Sequence, residues 1–257
     1  MIERVLAPNP SLYTGPGTNT YIVSSDGEAL VLDPGPIIGT HTLEIVKALE
    51  GLTLVGVVAT HTHPDHAPLA NPLAARLGVP VYGYGPGPEF IPDVSVADGE
   101  RISFGSTHID AVHTPGHTPD HLCFRFGDTL FTGDHIMEGS TVIIEDAADY
   151  LDSLYLVRGL GVARIEPGHG STIDDAAAVI DDYIDHRLER ERQLVEAIRQ
   201  GAGSIGDIVD VVYEGIPDGL RHAAVHQVGV QLRKLHEDGR VRFASDSADE
   251  DSEVHLG

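Results

Sequence analysis

The chain has 257 residues, of which 41% are hydrophobic and 22% charged, so it is long enough for one large domain with a small appendage and too apolar for disorder throughout. Its 40 acidic and 16 basic residues give a formal charge of −24, which counts against sequence-independent binding of nucleic acids. The single cysteine, Cys123, excludes a disulfide framework within one chain. With no signal-peptide pattern and no long apolar run, we expect a soluble, cytoplasmic protein without a membrane segment.

The N-terminal half alternates strand and helix patterns, which predicts an α/β organisation. Predicted strands cover residues 18–23, 28–33, 54–59 and 79–82, and predicted helices cover 41–50 and 69–77. The glycine- and proline-rich segment 83–99 is typical of a solvated connection or a lid over a site.

Four further strands and a long helix follow. The strands are predicted at 101–104, 107–113, 122–126 and 129–132, and their short glycine-containing turns indicate a meander. A fifth strand is predicted at 162–165, and an amphipathic helix runs from 174 to about 200.

The C-terminal part resembles a winged-helix module. It combines a helix at 204–213, one broken or two adjoining helices at 217–238 and a short strand at 241–243. Basic residues near its end could contact a phosphate or simply be solvated; they are Arg233, Lys234, Arg240 and Arg242. We predict a catalytic domain at 1–200, the winged-helix-like module at 201–245 and a mobile acidic tail at 246–257.

A cluster of ligand-type residues follows the buried strand at 54–59. His61, His63, Asp65 and His66 lie within six residues of one another, and imidazole plus carboxylate is the ligand set of zinc and similar divalent ions. The carboxyl ends of strands in open α/β sheets are where ligands bind. The sequence therefore predicts a metal site at this edge.

Three other strand ends carry similar residues. His117 lies in a loop rich in glycine and proline, Asp134 follows the strand at 129–132, and His169 lies between two glycines after the strand at 162–165. Taken alone, Asp134 would be a helix cap as readily as a ligand. Several strand ends that converge on one rim favour a shared site.

Together these seven residues resemble the ligand set of the metallo-β-lactamase superfamily in its binuclear form. The resemblance implies an αββα sandwich, with His61, His63 and His117 on one metal ion and Asp65, His66 and His169 on the other. It implies that Asp134 bridges the two ions, that Asp65 orients a metal-bridging hydroxide, and that both carboxylates are catalytic. Two zinc ions are expected, although manganese or iron suits the same ligands.

Within that superfamily the chain is most similar to the β-lactamase-like protein 2 group, which also carries a winged-helix-like module. The motifs are Gly133-Asp134-His135, Glu166-Pro167-Gly168-His169-Gly170 and Tyr183-Ile184-Asp185-His186-Arg187. The best-known member of that group cleaves single-stranded RNA. Aspartate rather than cysteine at position 134 resembles the thioesterase and phosphodiesterase branches, so antibiotic hydrolysis is disfavoured.

Three functions follow from these observations. The first is hydrolysis of an ester, thioester or related acyl bond in a small molecule. The second is a single-strand-specific endoribonuclease, in which the C-terminal module would hold the RNA. The third is a binding protein with structural histidines, which the retention of seven ligand-type residues disfavours. The sequence leaves the substrate and the oligomeric state open.

Overall fold

The structure is a computed structural model that describes residues 1–139, 141–243 and 249–257, without the side chain of Asp218. Its strands are β1 (Ile2–Leu6), β2 (Asn19–Ser25), β3 (Glu28–Leu32), β4 (Thr53–Val58), β5 (Val81–Gly83), β6 (Val94–Ser95), β7 (Arg101–Phe104), β8 (Thr107–His113), β9 (Leu122–Phe126), β10 (Thr129–Gly133), β11 (Arg164–Pro167), β12 (Val241–Phe243) and β13 (Val254–Leu256). Its helices are α1 (Gly39–Ala48), α2 (Ala70–Leu77), α3 (Ala147–Gly159), α4 (Ala176–Arg199), α5 (Ile205–Val212) and α6 (Asp218–Glu237).

Two sheets form the centre of the fold. The first has the order β1-β2-β3-β4-β5-β6 and the second has the order β11-β10-β9-β8-β7. The strands β7 to β10 are antiparallel neighbours, so the predicted meander is confirmed. Strands β3 and β4 are parallel, as are β10 and β11, which brings the carboxyl ends of each pair to one edge.

Alternating side chains of the sheets fill separate cores, giving four layers. Leu30 and Leu32 of β3 pack between the sheets against Phe124 of β9, whereas Val31 points to the other face, where Ile45 of α1 lies. The outer face of the second sheet is covered by α3 and α4. This is the predicted αββα sandwich, which is therefore confirmed.

Some elements differ from the sequence-based prediction. Strand β1 was not predicted, and it pairs with β2. Segment 83–99 is not a plain solvated connection, since it includes β6 and the buried side chain of Phe90. The predicted break in the 217–238 helix is wrong, because α6 runs without interruption.

The C-terminal unit has its own core around α5, α6 and the β12–β13 hairpin, to which the last turns of α4 contribute Leu194 and Ile198. The expectation of a mobile tail is wrong for β13, since Val254 is fully buried there. Residues 246–248 of the predicted tail lie outside the described residues. We therefore propose that the C-terminal unit extends to the end of β13, while the division at residue 200 stays a prediction. None of the described helices is both long and apolar enough to cross a membrane.

Candidate metal centre

All seven residues predicted as ligands meet at one edge of the two sheets. The loop after β4 carries His61, His63, Asp65 and His66, the loop between β8 and β9 carries His117, and Asp134 and His169 follow β10 and β11. They form two clusters that share Asp134, and in each cluster the possible ligand atoms lie within 4.8 Å of one another.

The first cluster consists of His61, His63, His117 and Asp134. The Nδ1 atom of His63 lies 2.9 Å from Nε2 of His61 and 3.0 Å from Nε2 of His117. The Oδ2 atom of Asp134 lies 3.9 Å from Nε2 of His61 and 3.6 Å from Nε2 of His117. Three imidazole nitrogens and one carboxylate oxygen therefore surround a common point.

The second cluster consists of Asp65, His66, Asp134 and His169. The Oδ1 atom of Asp134 lies 3.3 Å from Nε2 of His66 and 3.2 Å from Nε2 of His169. The Oδ2 atom of Asp65 lies 3.2 Å from the same nitrogen of His169. The two oxygens of Asp134 thus face different clusters, which is the arrangement that a bridging carboxylate needs.

Main-chain carbonyls behind two of the histidines determine which ring nitrogen is free. The Nδ1 atom of His117 donates to the carbonyl of Ile143 at 2.6 Å, and that of His169 donates to the carbonyl of Gly17 at 3.1 Å. A neutral imidazole carries one ring proton, so in the neutral form of each ring the lone pair lies on Nε2, which faces its cluster.

Asp33, which directly follows β3, orients one histidine of each cluster. Its Oδ1 accepts a hydrogen bond from the main-chain nitrogen of Thr60 at 2.7 Å, and its Oδ2 accepts from the Thr60 hydroxyl at 2.8 Å and from Nδ1 of His66 at 2.9 Å. Because that hydroxyl donates to Asp33, it accepts from Nδ1 of His61 at 3.0 Å. Both rings are thereby oriented with Nδ1 toward these partners and Nε2 toward the other members of the clusters, so that in the neutral form of each ring the lone pair lies on Nε2.

Asp33 is absent from the set of residues that the sequence predicted. The available signal was a carboxylate directly after an apolar strand, the same signal that marked Asp134. In the structure Asp33 is buried and has a positive φ of 47°, an uncommon backbone conformation for a residue other than glycine.

The donor set fits a dinuclear metal site. Lone pairs of imidazoles and carboxylates at these separations repel one another unless a cation lies among them, and nitrogen and oxygen donors of this kind suit zinc and neighbouring divalent metals. The two groups together supply five imidazoles and two carboxylates.

The charges of the site also favour cations. Burial opposes ionisation of Asp134, but His66 and His169 outweigh it and hold the pKa of this carboxyl well below its usual range. Burial opposes protonation of His66 as well, yet Asp134 and Asp33 raise its pKa well above the usual value. For His61, burial and then His66 lower the pKa, so this ring is neutral.

A cleft of about 1260 Å³ opens on both clusters and continues between α4 and α6. Most of its wall beyond the ligand-type residues is apolar. Its large apolar residues are Leu12, Tyr13, Met137, Val142, Ile143, Ile173, Val179, Tyr183, Tyr213, Ile216 and Leu220. The volume exceeds the 300–1,000 Å³ that is typical of small-molecule sites, so a molecule with a long apolar part would fit.

Comparisons with known proteins agree with this geometry. A family model of the metallo-β-lactamase superfamily matches residues 13–169, and a model of the β-lactamase associated winged helix domain matches residues 204–250. The chain also resembles the crystal structure of a β-lactamase domain protein from Burkholderia ambifaria, with a TM-score of 0.85 and 19% identity, covering 100% of this chain and 91% of that one. At this identity the likeness shows the fold alone.

Two relatives match almost from end to end. The β-lactamase-like protein 2 homolog of Drosophila melanogaster is 32% identical, covering 99% of this chain and 94% of that protein. The atrochrysone carboxyl ACP thioesterase of Aspergillus chevalieri is 32% identical, covering 94% of this chain and 83% of that protein. The chain therefore belongs to the metallo-β-lactamase superfamily of metal-dependent hydrolases, in the group that carries a C-terminal winged-helix domain.

Proposed function

We propose that this hydrolase cleaves a thioester or related acyl ester whose acyl part is long and apolar, with two zinc ions held by the two clusters. His61, His63 and His117 would hold one ion, and Asp65, His66 and His169 the other, with one oxygen of Asp134 directed to each. When bound, such a pair of cations lowers the pKa of a shared water and polarises the acyl oxygen.

The two carboxylates have different surroundings, which supports different roles. Asp134 is buried between the clusters, so we assign it to holding both ions in place. The side chain of Asp65 is 25% exposed and lies on the wall of the cleft. From there it can orient the attacking water and accept its proton.

The single observation that carries the choice of substrate is the apolar cleft that begins at the ligand residues. An acyl chain along this wall would be removed from water, at about 0.8 kcal/mol for each buried methylene group. The relative from Aspergillus chevalieri is named as a thioesterase, which agrees with a thioester.

The endoribonuclease is the alternative, and it needs free cations for the phosphates. Two of the four basic residues that the sequence singled out are engaged within the fold. Lys234 lies 2.8 Å from Glu191 Oε1 and 2.9 Å from Asp238 Oδ2, while Arg240 lies 2.9 Å from Glu191 Oε2. Because these two cations are already paired with carboxylates, we rank RNA below a thioester as the substrate.

To test the proposal, zinc-loaded protein is assayed for hydrolysis of thioesters that differ only in the length of the acyl chain. Cleavage of labelled single-stranded RNA is assayed in parallel. We expect kcat/KM to rise by up to about fourfold for each added methylene group until the cleft is filled. Asp134→Ala should abolish the activity, whereas Asp185→Ala, the same change at an exposed position of α4, should not.

Two results would contradict the choice of substrate. Cleavage of RNA without thioester turnover would favour the alternative. A rate independent of acyl length would remove the role of the cleft. Assays of protein loaded with zinc, manganese or iron, together with elemental analysis of the purified protein, test the choice of metal.

A further inference from the structure

Residues 142–144 lie directly behind His117. The carbonyl of Ile143 accepts the Nδ1 hydrogen bond of this histidine, so the place of the segment determines where Nε2 points. The side chain of Ile143 is 37% exposed and lies on the cleft wall, while its two neighbours are buried. This alternation is that of a strand, yet residues 142–144 belong to no strand in the described ranges.

Side chains take the place of a neighbouring strand for this segment. The amide of Gln227 donates to the carbonyl of Ile144 at 2.9 Å and accepts from its main-chain nitrogen at 3.3 Å. Arg187 of α4 donates to the carbonyl of Val142 at 2.6 Å. Three consecutive carbonyls are thus bound by Arg187, His117 and Gln227.

Gln227 belongs to α6, the long helix of the C-terminal unit, and it is buried. Val230 on the same helix packs in the core that contains Val142 and Ile144. The C-terminal unit therefore contacts the segment both through apolar packing and through a paired hydrogen bond.

We propose that Gln227 is a positioning residue for His117, so that the C-terminal unit completes the first metal cluster. The inference rests on the proposed role of His117 as a ligand. Gln227 also lines the cleft, but it acts on His117 through the main chain, since its amide binds Ile144 and His117 binds the carbonyl of the preceding Ile143.

The effect should be confined to one of the two ions. Residues that orient metal-bound histidines typically change metal affinity by about 10- to 100-fold when they are replaced. The histidines of the second cluster are oriented by Asp33 and by the carbonyl of Gly17, which lie on other parts of the chain. Loss of Gln227 leaves those contacts unchanged.

The experiment is titration of the full-length protein with Zn²⁺ against a chromogenic chelator, and with Co²⁺ followed by its absorption spectrum. Gln227→Met keeps a side chain of similar length and removes both hydrogen bonds. We expect one ion to bind about 10- to 100-fold more weakly and the other to bind unchanged. The matched control is Gln231→Met, also buried on α6, whose Oε1 has no hydrogen-bond partner among the described residues. It should bind both ions as the wild type does.

Equal binding of both ions by Gln227→Met and the wild type would overturn the inference. An equal loss of both ions would overturn it as well, because the effect would then be general. Failure of the wild type to bind two ions would overturn the metal centre itself, and with it this inference. Should Gln227→Met fail to fold by circular dichroism, Gln227→Glu retains the acceptor for Ile144 and removes the donor, and the same selective loss is expected.

Discussion

Replacement of Asp33 by asparagine should weaken both metal sites, although Asp33 is a ligand of neither. Its carboxylate accepts three hydrogen bonds, two from Thr60 and one from Nδ1 of His66. An asparagine of the same shape has one acceptor oxygen and one NH₂ group. The NH₂ group would face the main-chain N–H of Thr60 if it took the place of Oδ1, and both the Thr60 hydroxyl and Nδ1 of His66 if it took the place of Oδ2. In the second case, the ring of His66 is driven to the tautomer with its proton on Nε2, which points at the ligand atoms.

The magnitude follows from the number of contacts. Hydrogen bonds to a charged partner contribute about 1.5–3 kcal/mol each, and replacement of a residue that orients a ligand histidine costs about 10- to 100-fold in metal affinity. Asp33 orients His66 directly and His61 through Thr60, so the loss should be seen at both ions. This distinguishes Asp33 from Gln227, whose replacement we expect to affect only one ion.

The assay is competition for Zn²⁺ with a chromogenic chelator, with the number of ions determined by elemental analysis. Asp175→Asn is the control, because it removes the same charge at the N-cap of α4, where asparagine is an equally good cap. If Asp33→Asn binds both ions with affinities within about twofold of the wild type, the role given to Asp33 is refuted. An equal loss in Asp175→Asn would refute it as well.

Three further predictions concern pH, close packing and the C-terminal unit. Burial opposes protonation of His169, but the facing carboxylates raise its pKa to about 9 in the metal-free protein. Binding of metal must release this proton below that pH, so affinity measured by chelator competition should fall as pH falls, by up to about tenfold per unit for each proton released. Gly168→Ala places Cβ 2.7 Å from a ring carbon of His66 and should cost about 1–3 kcal/mol in urea unfolding, unlike Gly159→Ala, where no atom lies within 4 Å. Glu191→Gln removes the buried carboxylate that pairs with both Lys234 and Arg240 and leaves Lys234 with Asp238 alone, so it should lower the stability of the C-terminal unit by about 2 kcal/mol, less than for a fully buried pair, measured by thermal unfolding.

The two sheets, and the edge at which the ligand-type residues meet, could be predicted because the sequence patterns that indicate them are local. The apolar run at 54–59 ends in histidines, and each of the other strand ends carries its ligand-type residue within a few positions. The rule that carboxyl ends of neighbouring parallel strands meet at one edge then brings these residues together. That the seven residues are the metal ligands stays a prediction.

What the sequence did not provide depends on pairing between distant segments. Asp33 can orient His66 only because β3 lies beside β4, and nothing near residue 33 specifies this neighbour. Gln227 reaches Ile144 across 83 positions of the chain. The β13 strand was read as an acidic tail because its one strongly buried residue, Val254, is surrounded in sequence by polar residues.

Helix α4 connects the metal centre with the C-terminal unit, whose helix α6 lines the cleft. Its first half packs Ile180 and Ile184 against the second sheet, and its last turns pack Leu194 with α5 and α6. Between them, Arg187 fixes the carbonyl of Val142 on the cleft wall. Because α4 lines the cleft together with α6, changes in these two helices can alter the shape of the cleft without altering a ligand-type residue. We therefore expect that proteins with the same two clusters can differ in substrate, with the reaction class set by the clusters and the substrate by the cleft between α4 and α6.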